Sequence, residues 1–162
     1  MTVTLRPLRE EEFEAWGETG RREYAADMVA NGGMTAEHAV NKAERDFLML
    51  LPEGLATPGH WIFVVEADGR GVGRLWFAER LDGGRTTAFL YDIMIDEEQR
   101  GNGYGRAAML AFEQEAARRG LTHLSLNVFG GNDRARSLYR SLGYAENAVA
   151  MSKTVGYPGI MD

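Results

Sequence analysis

Apolar and polar residues follow strand-like and helix-like spacings along the first half of this chain. Short stretches alternate with a period of two, as expected for half-buried strands, and two longer stretches repeat at helical spacing. The predicted elements are strands at Thr2 to Leu8, His60 to Ala67 and Gly71 to Ala78, and helices at Glu10 to Ala30 and from Thr35 to near Pro52. Because Asp68-Gly69 is a hairpin turn signal, the last two strands should form a hairpin.

The second half begins with an apolar run from Ala88 to Ile95, interrupted only by Asp92, which is typical of a central strand buried on both faces. Strands and helices then alternate, so a parallel strand pair is expected. The predicted elements are a helix at Ala107 to Arg119, a strand at Leu121 to Val128, a helix from Asn132 or Asp133 to Gly143, and a last strand at Tyr144 to Val155. In the first of these helices, Ala108, Phe112 and Ala116 should point inward and Glu115 outward.

Composition limits the class of protein. A chain of 162 residues with 44% hydrophobic and 26% charged residues predicts one globular domain, residues 1–155, with residues 156–162 as a tail. No cysteine is present, which excludes a thiol nucleophile and thiolate metal ligands. A net charge of −6 argues against nucleic-acid binding. Neither a signal peptide nor a membrane-spanning run is visible, and a cytoplasmic protein is expected.

A glycine-rich segment, Gln99 to Arg106, joins the apolar strand to the following helix. Unpaired N–H groups at a helix N-terminus bind phosphate, and glycines let a ligand approach the backbone closely. A nucleotide P-loop would need Lys and then Ser or Thr after its last glycine, and here Arg106 and Ala107 follow Gly105. A dinucleotide fingerprint would need G-x-x-G spacing, but this loop reads G-x-G-x-G. A tight turn without a ligand is the remaining alternative.

The loop and a downstream segment together resemble a known family. Arg100, Gly103 and Gly105 form R-x-x-G-x-G after a strand, and Asn132 to Tyr144 reads N-D-R-A-R-S-L-Y-R-S-L-G-Y. These resemble the pyrophosphate loop and the N-x-x-A-x-x-L-Y-x-x-L-G-F segment of the GNAT superfamily of N-acetyltransferases, with Tyr144 in place of phenylalanine. The similarity covers roughly Ala88 to Tyr144.

This resemblance implies an α/β (α+β) GNAT fold, a central mixed sheet flanked by helices, in which a splayed parallel strand pair holds acetyl-CoA. Acetyl-CoA would be the acetyl donor, and no metal is expected, since His38, His60 and His123 are scattered without ligand spacing. By position in the family pattern, the cofactor-binding residues are Ile93, Met94, Ile95, Arg100, Gly101, Asn102, Gly103, Tyr104, Gly105, Arg106, Asn127, Asn132 and Tyr139.

Two catalytic residues are expected. Tyr139 occupies the position of the family's tyrosine that protonates the CoA sulfur, and packing on the core is its alternative role. Asp92 is the leading candidate base because a carboxylate in an apolar run is costly to bury without a partner, although it could instead hold an arginine or a backbone amide. Glu66 and Glu79 are reserve candidates. The backbone N–H of Met94 or Ile95 is the expected oxyanion donor.

The activity implied is direct acetyl transfer to a primary amine, with no covalent enzyme intermediate. The acceptor could be a small molecule or a peptide, and neither a nucleic acid nor a membrane is an expected partner. Many family members form dimers, so a homodimer is compatible with the resemblance. A non-catalytic acyl-CoA sensor and a nucleotide-phosphate binder are the alternative functions. Residues that could line an acceptor pocket, or else lie in the core, are Tyr24, Asn31, Trp61, Trp76 and Tyr91.

Overall fold

Five strands form one mixed sheet with helices around it in the computed structural model, which describes residues 2–156. The strands are β1 (Thr4–Pro7), β2 (His60–Ala67), β3 (Arg70–Asp82), β4 (Arg85–Ile95) and β5 (Leu124–Leu126). The helices are α1 (Phe13–Gly32), α2 (Ala36–Leu50), α3 (Tyr104–Arg118) and α4 (Asp133–Ser141). The strand order is β1-β2-β3-β4-β5, and every pair is antiparallel except β4 and β5, which are parallel. The predicted α/β fold with a parallel pair is confirmed.

Most predicted elements form, but their bounds differ. β2 spans the predicted residues, while α3 begins at Tyr104 rather than Ala107 because the helix starts directly at the glycine loop. β5 is only three residues long, shorter than the predicted strand, and all three residues pair with β4. The predicted last strand at Tyr144 to Val155 is wrong: residues 144–156 form neither strand nor helix and join no ladder of the described sheet. Residues 157–162 of the predicted tail lie outside the described residues.

The two faces of the sheet bury different cores. On one face, α3 and α4 cover an aliphatic and aromatic cluster in which Leu75, Phe77 and Phe112 are fully buried. On the other face, α1 and α2 bring Trp16 and Phe47 against Trp76 of β3. Because side chains of a strand alternate between faces, consecutive residues of β3 contribute to both clusters. The central strands are thus enclosed on both sides.

Helix α3 packs through the side predicted for it. Ala108, Phe112 and Ala116 have no exposed surface, as their helical spacing indicated. Glu115 was expected to face solvent and this prediction is wrong, since the residue is only 8% exposed. Its carboxylate can be buried because Arg118 and Arg119 at the end of the same helix both pair with it.

The parallel pair is short because the two strands separate. β5 pairs with β4 only from Ala88 to Leu90, whereas β4 continues to Ile95 along β3. At the point of separation β4 has a bulge: Phe77 of β3 is opposite Leu90 and Trp76 is opposite Asp92, so Tyr91 is the extra residue. The sheet therefore opens between β4 and β5 from residue 91 onward.

We predict that Gly73→Ala destabilises the protein by about 2 kcal/mol, because a Cβ at this position of β3 would overlap the carbonyl oxygen of Met94 and force the strands apart. Gly130→Ala is the matched control, since a Cβ there meets no atom within 4 Å, and it should change stability by less than about 0.5 kcal/mol. Urea denaturation measures both variants. Equal stability of the two would contradict the close contact between β3 and β4.

Candidate functional site

The open edge of β4 presents unpaired backbone groups. The N–H of Asp96 donates to the carbonyl of Val72 on β3 at 2.9 Å, so the alternation of an extended strand directs the Met94 backbone toward β3 and those of Ile93 and Ile95 toward the gap. The Arg100 Nε atom, which donates to the Ile95 carbonyl at 2.9 Å, reaches it from that open side. The N–H groups of Ile93 and Ile95 are thus directed into the gap between β4 and β5, and that of Met94 is not.

The glycine loop has the backbone conformation that its composition predicts. Gly101 and Gly103 have φ values of 84° and 80°, and Gly103 is the N-cap of α3. The first intrahelical hydrogen bond runs from the N–H of Ala107 to the carbonyl of Gly103, so the N–H groups of Tyr104, Gly105 and Arg106 have no partner within the helix. No atom lies within 4 Å of a Cβ built on Gly101 or Gly103. This helix end is open and carries the donors that an anion needs.

Side chains of the loop hold it against its neighbours. Asn102 donates its side-chain amide to the Gln99 carbonyl at 3.0 Å, which closes the turn. Arg106 donates to the hydroxyl of Ser141 on α4 at 2.9 Å, and a Cβ on Gly105 would lie 3.7 Å from Leu138 of the same helix. The N-terminus of α3 is therefore adjacent to α4. Arg100 and Arg106 keep positive charge at the helix end while they make these contacts.

Tyr139 lies on α4 and is half-buried against the core cluster beneath α3 and α4. Leu138, the preceding residue of α4, packs against the same cluster, so packing on the core, the alternative role of Tyr139, is observed. Burial raises the pKa of Tyr139 to about 12, and the negative charges of Asp92 and Asp27 contribute in the same direction. The hydroxyl is therefore protonated across the physiological range and can donate a proton or a hydrogen bond.

Asp92 is held in an ion-pair network. The Arg74 Nε atom donates to its carboxylate at 2.6 Å, and another guanidinium nitrogen of Arg74 lies 2.5 Å from Glu23 of α1. The Arg74 side chain is only 12% exposed. Burial raises the pKa of Asp92, while the charge and hydrogen bonds of Arg74 work against that increase. Of the two roles predicted for Asp92, holding an arginine is observed directly, and its role as a base stays a prediction.

The remaining candidate residues differ in their contacts and exposure. Asn132 caps α4 by accepting from the N–H of Ala135 at 3.2 Å, and Asn127 is exposed in the loop after β5. Glu66 is paired with Arg6 at 3.1 Å, away from any contact with Tyr139 or Asp92 among the described residues. Glu79 is exposed on β3, one residue past the last residue of that strand that pairs with β2. The roles of Asn127 and Asn132 as cofactor contacts stay predictions, and nothing in these contacts favours Glu66 or Glu79 as a base.

The aromatic residues proposed for an acceptor pocket separate onto both faces of the sheet. Trp76 and Tyr91 stack with ring centroids 4.8 Å apart on the α1 and α2 face, and Tyr24 of α1 donates its hydroxyl to Asp46 of α2. Trp61 does not join them. It lies on the opposite face, with the Arg119 guanidinium 4.4 Å from its ring centroid, so the grouping of Trp61 with the other aromatics is wrong.

The sequence pattern did not predict the roles of Arg74 and Glu23, and it gave Asn31 only as a possible pocket residue. Arg74 interrupts an apolar strand in the same way as Asp92, so two opposite charges in neighbouring strands were a detectable signal. The position of Asn31 depends on tertiary contacts: it donates to Asp27 at 2.6 Å, and the adjacent Gly32 packs on Phe129 after β5. The end of α1 therefore closes over the loop that follows β5.

Comparisons with known proteins agree with this geometry. The family model described as "Acetyltransferase (GNAT) family" matches residues 8–144. The Bacillus subtilis relatives named "Uncharacterized N-acetyltransferase YycN" and "Uncharacterized N-acetyltransferase YdgE" are 36% and 31% identical, over 94% of this chain and 99% and 98% of theirs. The crystal structure of YycN superimposes with a TM-score of 0.90 at 35% identity, covering 96% of this chain and all of that one.

The protein belongs to the GNAT family of acetyltransferases. It is an acetyltransferase enzyme. Across residues 2–156, every helix falls short of the length and apolar character needed to cross a membrane.

We predict that Arg74→Met destabilises the protein by about 3 kcal/mol at pH 8, because it leaves the half-buried Asp92 carboxylate without its partner. Without Arg74 the folded-state pKa of Asp92 rises further above its unfolded value, so stability is retained at low pH and lost as the pH rises through that folded pKa. The loss should therefore be smaller at pH 5, as measured by urea denaturation at both pH values.

The double variant Arg74→Met with Asp92→Asn is the matched control, since it removes the charge that Arg74 neutralises. It should recover part of the stability at pH 8 and show a weaker pH dependence. An equal loss at pH 5 and pH 8 in the single variant would contradict the assigned ion pair.

Proposed function

We propose that this chain, as one catalytic domain over residues 1–155, transfers an acetyl group from acetyl-CoA directly to a primary amine within a ternary complex. The observation that carries the proposal is the convergence of three features: the open β4 edge, the free N-terminus of α3 and the Tyr139 hydroxyl. Each suits one part of an acyl-CoA. The backbone edge suits the amide-containing arm, the helix end suits the pyrophosphate, and the phenol suits the sulfur.

Support for acetyl-CoA as the donor comes from two sets of backbone N–H groups, one on β4 beyond Leu90 and one at the start of α3. The N–H groups of Ile93 and Ile95 would pair with the pantetheine amides as a neighbouring strand does. The N–H groups of Tyr104, Gly105 and Arg106 would bind the pyrophosphate, with Arg100 and Arg106 providing positive charge. In this proposal Gly101, Asn102 and Gly103 shape the loop, and Asn127 and Asn132 contact the arm.

The reaction then proceeds in one addition and one elimination. The amine nitrogen attacks the thioester carbonyl carbon, and the N–H of Ile95 on the open side stabilises the oxyanion; this geometry favours Ile95 over Met94 for that role. When the carbon–sulfur bond breaks, Tyr139 donates its proton to the departing thiolate, and the proton that the attacking nitrogen loses as the amide forms restores the phenol through solvent. With its pKa raised to about 12, Tyr139 remains protonated until the thiolate forms and is not consumed beforehand.

Removal of the ammonium proton is assigned to Asp92, directly or through water. Burial raises the pKa of Asp92, which strengthens it as a proton acceptor, and its charge acts on Tyr139. Arg74 keeps this carboxylate in position on the same face as Trp76 and Tyr91. The acceptor would thus approach from the α1 and α2 side of the sheet. Its class is a small molecule or peptide carrying a primary amine.

A non-catalytic acyl-CoA sensor is the second candidate function. The role of the Tyr139 hydroxyl distinguishes the sensor from the enzyme. The Tyr139 hydroxyl stays protonated because burial, aided by the charges of Asp92 and Asp27, raises its pKa to about 12, and a protonated phenol favours the catalytic function.

We expect Tyr139→Phe to lower kcat for acetyl transfer by about 100-fold while the Kd for acetyl-CoA changes by less than about twofold, because only the proton donor is removed. Release of free CoA is measured with a panel of grouped primary amines, and binding by calorimetry. Since the pKa of Tyr139 is raised to about 12, its ionisation should cause no fall of wild-type kcat up to about pH 10.

Tyr144→Phe is the matched control, because its ring lies 6.0 Å from that of Tyr139 but its hydroxyl donates to Glu113 at 3.0 Å. It should keep wild-type kcat. Full turnover by the Tyr139→Phe protein at every pH would refute the acid role, and absence of CoA release by the wild type with every amine would favour the sensor.

We also expect Gly103→Leu to weaken acetyl-CoA binding at least about tenfold, the equivalent of losing one hydrogen bond, because the side chain would cover the helix end. Gly84→Leu is matched for strain: both glycines have a φ of 80° and open space at the Cβ position, but Gly84 lies in the β3–β4 turn. Calorimetric titration should show reduced affinity only for Gly103→Leu. Equal affinities of the two variants for acetyl-CoA would mean that the loop is only a turn and does not bind the cofactor.

A further inference from the structure

Three aromatic rings form a cluster on the α1 and α2 face of the sheet, at the place where β4 has its bulge. His60 is the first residue of β2, Trp76 belongs to β3 and Tyr91 is the extra residue of β4. The ring centroids of His60 and Tyr91 are 5.8 Å apart with an interplanar angle of 22°, and those of His60 and Trp76 are 5.9 Å apart. Trp76 also stacks on Tyr91, so each ring of this three-ring cluster lies beside the other two.

A hydrogen bond within the three-ring cluster determines the protonation state of His60. The indole Nε1 of Trp76 donates to Nδ1 of His60 at 3.0 Å. Because an indole N–H can only donate, Nδ1 is the unprotonated nitrogen, and the neutral imidazole carries its proton on Nε2. Burial lowers the pKa of His60, which favours this neutral form. Trp76 is only 2% exposed, so without His60 its N–H would be buried without a partner.

Charged groups around the three-ring cluster do not compete for this hydrogen bond. The titratable or charged side chains on the surrounding elements are Glu53 before β2, Glu79 on β3, Tyr91 itself, the Arg80–Asp82 and Arg21–Glu44 pairs, and the network of Glu23, Arg74 and Asp92. Glu53 and Glu79 are exposed, and the other carboxylates in this set pair with arginines. The lowered pKa of His60 therefore comes from burial rather than from a neighbouring charge.

The three-ring cluster is connected to Asp92 through the bulge. Tyr91 directly precedes Asp92 on β4, and Trp76 is opposite Asp92 in the pairing of β3 with β4. An extra residue interrupts the regular ladder, so the shape of the bulge depends on what holds its side chain. Tyr91 is held by Trp76 and His60 and by the edge of Phe89, whose ring centroid is 4.7 Å from its own. A change in these rings is therefore transmitted to Asp92 through a single peptide unit.

We propose that His60 is a positioning residue for acetyl transfer: its neutral Nδ1 holds Trp76 against Tyr91, and this stack fixes the bulge that orients the Asp92 carboxylate. Protonation of Nδ1 turns the acceptor into a donor that faces the indole N–H, so the stack loosens and Asp92 loses its orientation. The enzyme is then fully active only while His60 is neutral. This role rests on the proposed function of Asp92 as the base, whereas the contact between His60 and Trp76 is testable without activity.

The first test follows the indole N–H of Trp76 by NMR in the full chain labelled with 15N-tryptophan, which gives three such signals. Trp16→Phe and Trp61→Phe identify the other two. We expect the Trp76 signal to lie downfield in the wild type and to move upfield as the pH falls below 6.5 and His60 is protonated.

Two variants of His60 separate its acceptor atom from its ring. In His60→Phe, which keeps a ring but no acceptor, the Trp76 signal should lie upfield at every pH. In His60→Asn, whose Oδ1 replaces Nδ1 as the acceptor, it should stay downfield from pH 8 to pH 5. A Trp76 signal that is the same in the wild type and His60→Phe would overturn the proposal.

The second test measures acetyl transfer as release of free CoA. We expect His60→Phe to lower kcat about tenfold at pH 8 while the KM for acetyl-CoA changes by less than about twofold, because the β4 edge and the start of α3 are unchanged. His60→Asn should keep kcat within about twofold at pH 8, and its kcat should fall less than that of the wild type between pH 8 and pH 5, since asparagine does not titrate.

His38→Asn is the matched control, because it removes an exposed histidine of α2. It should keep the kcat, the pH profile and the Trp76 signal of the wild type. Wild-type kcat in His60→Phe, or a wild-type fall of kcat at acid pH in His60→Asn, overturns the positioning role. Absence of CoA release by the wild type with every amine overturns the proposed function and this kinetic role together, while the Trp76 signal shows separately whether His60 holds the indole.

Discussion

The separation of β4 from β5 after Leu90 is the constraint on which the site depends. A parallel pair that continued to Ile95 would satisfy the backbone of β4 and leave no room for a ligand. Because pairing stops, the N–H groups of Ile93 and Ile95 face open space, and α3 begins beside the same gap. On its other side, β4 pairs with β3 as far as Ile95, so that edge of β4 keeps its backbone hydrogen bonds.

The bulge at Tyr91 determines which side chains of β4 share one face of the sheet. An extra residue at this point lets Tyr91 stack on Trp76 while Asp92 still reaches Arg74 on the same face. The network from Glu23 through Arg74 to Asp92 then connects α1 to the strand that borders the gap. A charge buried in this way is stable only while all partners remain. The helix pair that would receive an acceptor is thus linked electrostatically to the proposed reaction centre.

Arginines have a second role at the edges of this fold. Arg100 binds the end of β4, Arg106 joins α3 to α4, and Arg136 fixes Glu146 on the outer side of α4. Each uses the several donors of one guanidinium group to connect elements that make few apolar contacts. The direction of the chain directly after α4 follows from the last of these contacts.

The sequence by itself determined the local elements and the residue types of the candidate site. Gly101 and Gly103 were predictable as loop glycines because a positive φ is costly for other residues, and the apolar spacing of α3 fixed its buried side. The tertiary structure decided which groups meet: the bulge at Tyr91, the pairing of Arg74 with Asp92 and the position of Trp61 on the opposite face. It also decided that residues 145–156 form no backbone hydrogen bond within the described part of the chain. A strand pattern specifies that a segment is able to pair, but whether a partner edge lies within reach depends on contacts between residues far apart in the chain.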